Sequence, residues 1–282
     1  MNLVINGRLI TRDTEGKGYY EHGAVAYEGS KIVEVGEESA LRRKYPDAHC
    51  IDAKGGVIMP ALINAHTHIY SALARGLSIV GNNPTNFYEV LDGTWWAIDR
   101  KLMMDGTRAS ATALYMDSIK QGVTTIFDHH ASYGEIPGTL HTIAEESKRL
   151  GLRSCLCYEV SDRDGEEKCL QAIQENADFI TECEKNKDPM LAAMFGGHAL
   201  FTISDKTFDR MGEGHNRPPR LPHPCSRGHE RCVRLPAELR PPPHPAAAGP
   251  RYSGGQDHSG PLHPRQHRRD GDHPAHQHHG GE

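Results

Sequence analysis

The sequence predicts an α/β protein in which a small β-domain precedes the N-terminal half of an eight-stranded parallel β/α barrel, with a disordered C-terminal tail. Three observations predict this fold. Apolar and polar residues alternate in the first 56 residues, and strand-like apolar segments then alternate with amphipathic helical stretches up to Met211. The remainder holds 13 of the 18 prolines and 11 of the 19 histidines. We therefore expect domains at residues 1–56, 57–211 and 212–282.

The first domain is predicted from short alternating segments. Leu3 to Ile10 and Gly23 to Val35 alternate apolar and polar residues around Asn-Gly and Glu-Gly-Ser turn signals. This pattern is typical of short antiparallel strands with one solvent-facing side. The sequence thus predicts a small β-sandwich domain.

A longer apolar run opens the second domain. Gly56 to Asn64 is almost continuously apolar, as expected for a parallel strand buried on both faces. Strand and helix patterns then alternate in units that predict parallel βαβ connectivity, and four such units make half of an eight-stranded barrel. The further predicted elements are helices over 88–102 and 107–121, a strand over 123–130, a helix over 139–150, a strand over 153–162, a helix over 166–185 and a strand over 190–199.

Composition limits the classes of partner. The chain is 37% hydrophobic and 24% charged with a net charge of −5, which is typical of a globular protein and argues against nucleic acid as a partner. The sequence shows neither a signal peptide nor an apolar run of membrane-span length, so we expect no membrane partner. The seven cysteines are scattered and odd in number, which favours free thiols in a reducing cytoplasm.

Two histidines follow the first barrel strand. His66 and His68 are two residues apart, so in a strand both imidazoles point to the same side and can converge on one ion. This strand ends at the C-terminal mouth of the predicted barrel, where the chemistry of such barrels lies. The pattern predicts that His66 and His68 are metal ligands.

The residues around these histidines carry a family resemblance. The segment VIMPALINAHTHIYSALARGL, preceded by a β-domain, resembles the amidohydrolase superfamily, in particular the chlorohydrolase and aminohydrolase branch with guanine deaminases, cytosine deaminases and SsnA-type aminohydrolases. The resemblance covers Met1 to Met211. Ala61 stands where the family usually has glycine. The stretch GGHALFTIS resembles the fourth-strand segment of the family, in which His198 matches a substrate-facing residue.

The resemblance implies a metal-dependent hydrolase with one zinc or iron ion. In the family, the two histidines matched by His66 and His68 hold the ion together with histidines from strands five and six and an aspartate from strand eight. The ion acidifies a water that attacks a C–N or C–halogen carbon, while a strand-five glutamate moves the proton. The expected reaction is hydrolysis of a C–N bond in a small nitrogenous substrate, as in an aminohydrolase or deaminase.

Several histidines and tryptophans admit two interpretations at this point. His129 and His130 follow the second barrel strand. Either one of them lines the site, or they are hydrogen-bonded supporting or loop residues. His198 is either a substrate contact or a structural cap. Trp95 and Trp96 are more readily explained as core or interface residues than as a stacking platform.

The tail lacks helical and strand periodicity, and its proline runs oppose both structures. Its composition is typical of GC-rich coding DNA translated out of frame. A one-base shift in the codons permitted for Leu221 to Cys225 spells Phe-His-Ile-His, and the same shift at Asp257 to Pro264 permits Gly-His-Cys-Ile-His. Both resemble later metal-binding strands of the family, so we hypothesise a frameshift between Met211 and Leu221.

On this interpretation the chain lacks the later ligands and is expected to be inactive. One alternative is a noncatalytic protein whose His-rich tail, with His273, His276, His278 and His279, binds metal or a partner. Another is that two copies pair their barrel halves, which would form a homo-oligomer.

Overall fold

The computed structural model describes residues 1–77, 79 and 81–213. These residues form two β-sheets, each associated with its own cluster of buried apolar side chains. The predicted tail from residue 214 onward, with its histidine cluster, lies outside the described residues. Residues 212 and 213 belong to a helix and not to the predicted tail.

The first sheet contains five strands and has one helix packed on it. These elements are β1 (Asn2–Ile10), β2 (Tyr19–Glu28), β3 (Lys31–Glu37), α1 (Glu38–Lys44), β4 (His49–Asp52) and β5 (Val57–Ile58). β2 pairs with both β1 and β3 in antiparallel orientation, as predicted. The alternation of the sequence buries Leu3, Ile5, Ala24 and Ala26 on one face, together with Leu41 of α1.

Two further strands of this sheet run parallel to β1, namely β4 and β5. Helix α1 explains the orientation of β4. It carries the chain from β3 on one side of the sheet to β4 on the far side of β1, and a helical crossover of this kind joins parallel strands. The second layer of the predicted sandwich is not among the described residues.

The second sheet contains four parallel strands in chain order. They are β6 (Leu62–Thr67), β7 (Val123–His130), β8 (Arg153–Tyr158) and β9 (Leu191–Ala193). The helices that accompany them are α2 (Phe87–Val90), α3 (Trp96–Asp99), α4 (Met104–Lys120), α5 (Thr139–Leu150), α6 (Glu166–Asn186) and α7 (Asp205–Glu213). A π-helical turn (Leu91–Trp95) joins α2 to α3, and 3₁₀ turns cover Ile69–Ala74 and Leu200–Thr202. This order is the half barrel that the sequence predicts.

The prediction for the run from Gly56 to Asn64 is wrong in two respects. The run contributes β5 to the first sheet and only then begins β6, with Pro60 between them, because proline has no N–H to give to a strand ladder. β6 is also not buried on both faces, since Leu62 and Ile63 are 50% and 62% exposed. The reason is that β6 is an edge strand of the described sheet.

The middle of the half barrel follows the prediction closely. The strand predicted over 123–130 and the helix predicted over 139–150 have the bounds of β7 and α5. A glycine follows the end of α4, and another follows the end of α5. Gly122 has φ +74° and Gly151 has φ +78°, a left-handed conformation that glycine adopts without strain.

The fourth predicted strand is short, and β8 ends before its predicted bound at Asp162. The side chain of Asn176, which is buried on α6, explains both the short β9 and the early end of β8. This side chain accepts a hydrogen bond from Tyr158 N and donates one to Tyr158 O, each at 2.9 Å. It also accepts one from Gly196 N at 3.2 Å. These contacts occupy backbone groups that would otherwise pair β8 with a longer β9.

The larger hydrophobic core involves the second sheet and its helices. Its fully buried members include Tyr115 on α4, Ile126 on β7, Leu140 and Ile143 on α5, and Leu156 on β8. Among the described residues, no helix combines the length and the apolarity that crossing a bilayer would require.

Leu156→Ala is expected to lower the free energy of unfolding by about 2–5 kcal/mol, because it leaves a cavity where Leu156 has no exposed surface. Urea denaturation followed by circular dichroism measures the change. Leu170→Ala is the matched control, since Leu170 on α6 is 44% exposed, and its effect should stay within about 0.5 kcal/mol. Equal losses in the two variants would contradict the assigned core.

Candidate metal centre

The two histidines of the HxH motif lie at the C-terminal end of β6. His66 is the penultimate residue of the strand, and His68 follows its last residue. Their imidazole rings meet edge-on with centroids 5.0 Å apart. His66 is exposed, whereas His68 is half-buried. The structure therefore places the two predicted ligands side by side at the end of the first barrel strand.

Two further side chains with metal-binding atoms lie next to His68. They are His129, near the end of β7, and Glu159, which directly follows β8. Both are buried. One ligand atom from each of His68, His129 and Glu159 lies within 4.8 Å of the other two. Three adjacent parallel strands thus each contribute one residue to a single group.

Sequence reasoning left His129 undecided and missed Glu159. A carboxylate directly after an apolar strand is common, and the glutamate has no spacing motif of its own. The signal that could have found it is strand register. His130 pairs with Tyr158, so the residue after Tyr158 lies beside the end of β7.

A backbone hydrogen bond fixes the ring of His68. Its Nδ1 lies 2.8 Å from the backbone carbonyl oxygen of His129. A carbonyl oxygen only accepts, so Nδ1 is the donor, and in the neutral ring the lone pair then belongs to Nε2. Metal-binding histidines are commonly oriented in this way, with one ring nitrogen donating to a carbonyl and the other directed at the ion.

Asp128 anchors the turn after the HxH motif. Its Oδ1 accepts a hydrogen bond from the N–H of Ile69 at 2.6 Å. The residue is buried, and burial raises the pKa of its carboxyl to about 7. Oδ2 lies 4.0 Å from Nδ1 of His130. The end of β7 therefore holds the turn after β6 at two points, through Asp128 and through the carbonyl of His129.

His130 is fully buried and lies among aromatic side chains. Its ring packs edge-on against Tyr70 and Tyr158, with centroids 6.3 and 5.7 Å away. Burial lowers the pKa of its imidazole to about 3, so the ring is neutral at physiological pH. Of the two histidines that the sequence left open, His129 belongs to the ligand group and His130 to the core.

Glu159 is a buried carboxylate shared by several cationic or histidine side chains. Its Oε2 lies 3.3 Å from Nδ1 of His129, and its Oε1 lies 3.4 Å from Nε2 of His198. Burial alone would raise the pKa of Glu159, but His129, His198 and Arg163 outweigh it and lower the pKa. The carboxylate is therefore ionised at neutral pH.

His198 lies in the segment after β9. Its backbone N–H donates to Val160 O at 2.9 Å, and its Nδ1 lies 2.7 Å from the hydroxyl of Thr202. Its ring contacts Trp96 and Phe201 edge-on, with centroids 5.8 and 6.2 Å away. These contacts orient Nε2 toward Glu159.

Next to His198 is an open pocket of about 430 Å³ with aromatic walls. Tyr88, Trp96 and Phe201 line it, together with polar side chains from the segments after β8 and β9. Trp96 is buried, whereas Tyr88 and Phe201 are more than half exposed. Trp95 packs against the core cluster. Trp95 thus contacts the core, and Trp96 lines the pocket.

The donor set fits a divalent transition metal. Two imidazoles and one carboxylate are ligand types that zinc and iron accept, and three protein ligands are the number that leaves a coordination position open. The backbone carbonyl of His129 orients the ring of His68. His129, His198 and Arg163 surround the carboxylate of Glu159. The group therefore offers ligand types that could hold such an ion.

Comparison with protein families gives two matches. The sequence model of the amidohydrolase family matches residues 57–213, which is more than half of the chain. A model described as the imidazolonepropionase-like composite domain of bacteria matches residues 23–48.

Curated relatives include two kinds of deaminase. A 5'-deoxyadenosine deaminase from Methanosarcina barkeri is 28% identical over 215 residues, which cover 76% of this chain and 46% of the relative. A 5-methylthioadenosine/S-adenosylhomocysteine deaminase from Thermococcus sibiricus is 33% identical over 179 residues, which cover 64% of this chain and 39% of the relative. The chain spans less than half the length of these two relatives.

Solved structures with the same fold include a chlorohydrolase and a deaminase. The atrazine chlorohydrolase of Arthrobacter aurescens, solved with zinc, has a TM-score of 0.58 at 22% identity, over 76% of this chain and 50% of that one. The guanine deaminase of C. acetobutylicum, solved with guanine, has a TM-score of 0.59 at 17% identity, over 75% and 49%.

Asp128→Leu is expected to lower the free energy of unfolding by about 1–3 kcal/mol, because it leaves the N–H of Ile69 without its acceptor in a buried position. Asp128→Asn is the matched control. It keeps an oxygen for Ile69 and removes a carboxyl that burial disfavours in its ionised form, so we expect no loss of stability. Urea denaturation at neutral pH measures both, and a loss in the asparagine variant as large as in the leucine variant would contradict the anchoring role.

Proposed function

Because the chain belongs to the amidohydrolase family, in its deaminase and chlorohydrolase branch, we propose that it contributes the first metal-binding strands of an aminohydrolase or deaminase. Such an enzyme hydrolyses a C–N bond of a small nitrogenous substrate. The observation that carries the proposal is the convergence of His68, His129 and Glu159 within 4.8 Å at the ends of three parallel strands.

We propose that the cofactor is one divalent ion, zinc or iron. His66 and His68 are the ligands that the family resemblance implies, and His68 also belongs to the geometric group with His129 and Glu159. His68 is therefore the residue on which both lines of argument agree. The donor set does not distinguish zinc from iron, because imidazole and carboxylate suit both.

The ion, when bound, would supply a Lewis acid that lowers the pKa of a water. Residues of this chain orient the side chains around the ion. His129 presents its backbone carbonyl to His68 Nδ1 and keeps that ring turned. Glu159 spans from His129 to His198, so its carboxylate stabilises a proton on Nε2 of His198.

We propose His198 as a substrate contact and the adjacent aromatic pocket as the place where a planar ring binds. Tyr88, Trp96 and Phe201 offer faces and edges against which a heteroaromatic ring packs well. The curated relatives named above are deaminases of adenosine derivatives, which supports an amino-substituted purine as the substrate class.

The complete reaction requires more of the barrel than the described strands, since the family resemblance places further ligands on strands five, six and eight. We therefore propose that this chain binds the ion without turning over substrate. A cytoplasmic location, supported by the free cysteines of the described residues, is part of the same proposal. Assembly as a homo-oligomer stays a prediction.

His68→Ala is expected to weaken cobalt binding by about tenfold or more, since loss of even a supporting residue at a metal site commonly costs that much. Cobalt titration followed by visible absorption measures affinity and coordination together. The full chain is used, with His273, His276, His278 and His279 replaced by glutamine so that the tail does not chelate the probe.

His141→Ala is the matched control for this titration, because His141 on α5 pairs with Glu182 at 2.6 Å and belongs to no ligand group among the described residues. Its affinity for cobalt should equal that of the parent chain. If His68→Ala and His141→Ala behave alike, the proposed site is wrong. A cobalt affinity that is lost when the four tail histidines are replaced would instead support metal binding by the tail.

A coding sequence shifted by one base between the codons for Met211 and Leu221 is expected to give a metal-dependent enzyme. It should release ammonia from 5'-deoxyadenosine or guanine, because the shifted frame restores His-rich strands, whereas the chain as written should release none. His68→Ala in the shifted chain is the control for metal dependence. An inactive shifted chain would remove the support for the frameshift hypothesis, and His68-dependent turnover by the chain as written would contradict its expected inactivity.

A further inference from the structure

The side chain of Arg163 is buried next to the candidate metal centre, with only 4% of its surface exposed. Its guanidinium makes two hydrogen bonds to the carboxylate of Asp99, at 2.6 and 3.2 Å. It also stacks on aromatic rings, 4.0 Å from the centroid of Tyr133 and 5.0 Å from that of Trp96. Its Nη1 also lies 3.1 Å from Oδ2 of Asp164. Because a buried charge is stable only beside opposite charges, these contacts hold the guanidinium in one place.

The Asp99–Arg163 pair joins two elements that are distant in sequence. Asp99 is the last residue of α3, whereas Arg163 lies in the segment between β8 and α6. The backbone N–H of Arg163 donates to the hydroxyl of Ser161 at 3.2 Å, which forms a tight turn shortly after β8. The guanidinium therefore returns to the end of the strand where Glu159 lies.

Arg163 faces the carboxylate of Glu159. Its Nη2 is 3.8 Å from Oε1, the same oxygen that lies 3.4 Å from His198 Nε2. The other oxygen, Oε2, lies 3.3 Å from His129 Nδ1. The backbone of Glu159 is also anchored, because its N–H donates to His130 O at 2.8 Å and its carbonyl accepts from the hydroxyl of Tyr133 at 2.6 Å.

With its backbone fixed, Glu159 has its side-chain orientation set by the charges around it. An arginine on the Oε1 side attracts that oxygen and leaves Oε2 for His129. Because electrostatic interactions between buried groups are weakly screened, a contact of 3.8 Å is close enough to matter. The two histidines on either side of the carboxylate are thus linked to the Asp99–Arg163 pair through Glu159.

We propose that Arg163, clamped by Asp99, is a positioning residue that divides the carboxylate of Glu159 between His129 and His198. The inference rests on the proposed function, because it links the candidate metal centre to the candidate substrate contact. It predicts that the pair acts on both histidines at once. A purely structural crosslink between α3 and the segment after β8 would affect stability alone.

The test uses the full chain labelled with ¹⁵N-histidine and free of metal. Long-range proton–nitrogen correlation spectra report the ring nitrogens, and the signals of His129 and His198 are assigned by replacing each with glutamine. Arg163→Gln should shift the signals of both histidines. It should also weaken cobalt binding by about tenfold to hundredfold, as loss of supporting residues at metal sites does.

Arg108→Gln is the matched control. Arg108 pairs with Glu145 and Glu146 of α5, at 3.0 Å each, and makes no contact with Glu159 or Arg163 among the described interactions. Its spectra and its cobalt affinity should match the parent chain. Unchanged signals of both histidines in a folded Arg163→Gln variant would overturn the positioning role.

A second variant keeps the test decisive if Arg163→Gln does not fold. The double change Asp99→Asn with Arg163→Gln removes both charges and leaves no unpaired buried ion between them. It should shift the same two histidines. The spectra need no metal, so absence of cobalt binding by the parent chain would refute the proposed function, whereas unchanged histidine signals in the double variant would refute the positioning inference.

Discussion

The parallel pairing of β6 with β7 and of β7 with β8 determines which side chains can meet at the candidate metal centre. Parallel strands end at one edge of a sheet, so the residues at each carboxyl end become neighbours although they are far apart in sequence. His68, His129 and Glu159 meet for this reason. The hydrogen bonds from the end of β7 to the turn after β6 then keep His68 in place.

Burial governs the chemistry of this edge. Glu159, His129 and His198 are almost completely removed from solvent, and so is the Asp99–Arg163 pair beside them. Charges in such surroundings are stable only when they face partners, and this requirement fixes orientations as well as protonation. His130 shows the opposite outcome, since burial lowers the pKa of its imidazole to about 3 and keeps the ring neutral.

The described sheet has two edge strands, β6 and β9, and the first of them exposes apolar residues. In a closed barrel every strand is paired on both sides. The matched relatives are more than twice as long as the region they share with this chain. The shared region therefore accounts for less than half of each of these relatives.

Much of the fold and part of the candidate site could be predicted from the sequence, because these features depend on local sequence pattern. Alternation and apolar runs predicted the two sheets, glycines predicted the ends of two helices, and the HxH spacing predicted His66 and His68 as neighbours. Glu159 and the Asp99–Arg163 pair have no such pattern. Strand register brings Glu159 beside His129, a turn after β8 brings Arg163 beside Glu159, and Asn176 shortens β9 through contacts between α6 and β8. The sequence by itself determined most of the elements and the closeness of His66 and His68. The tertiary structure decided which buried charges surround them, because contacts between residues distant along the chain arise only when the strands and helices pack.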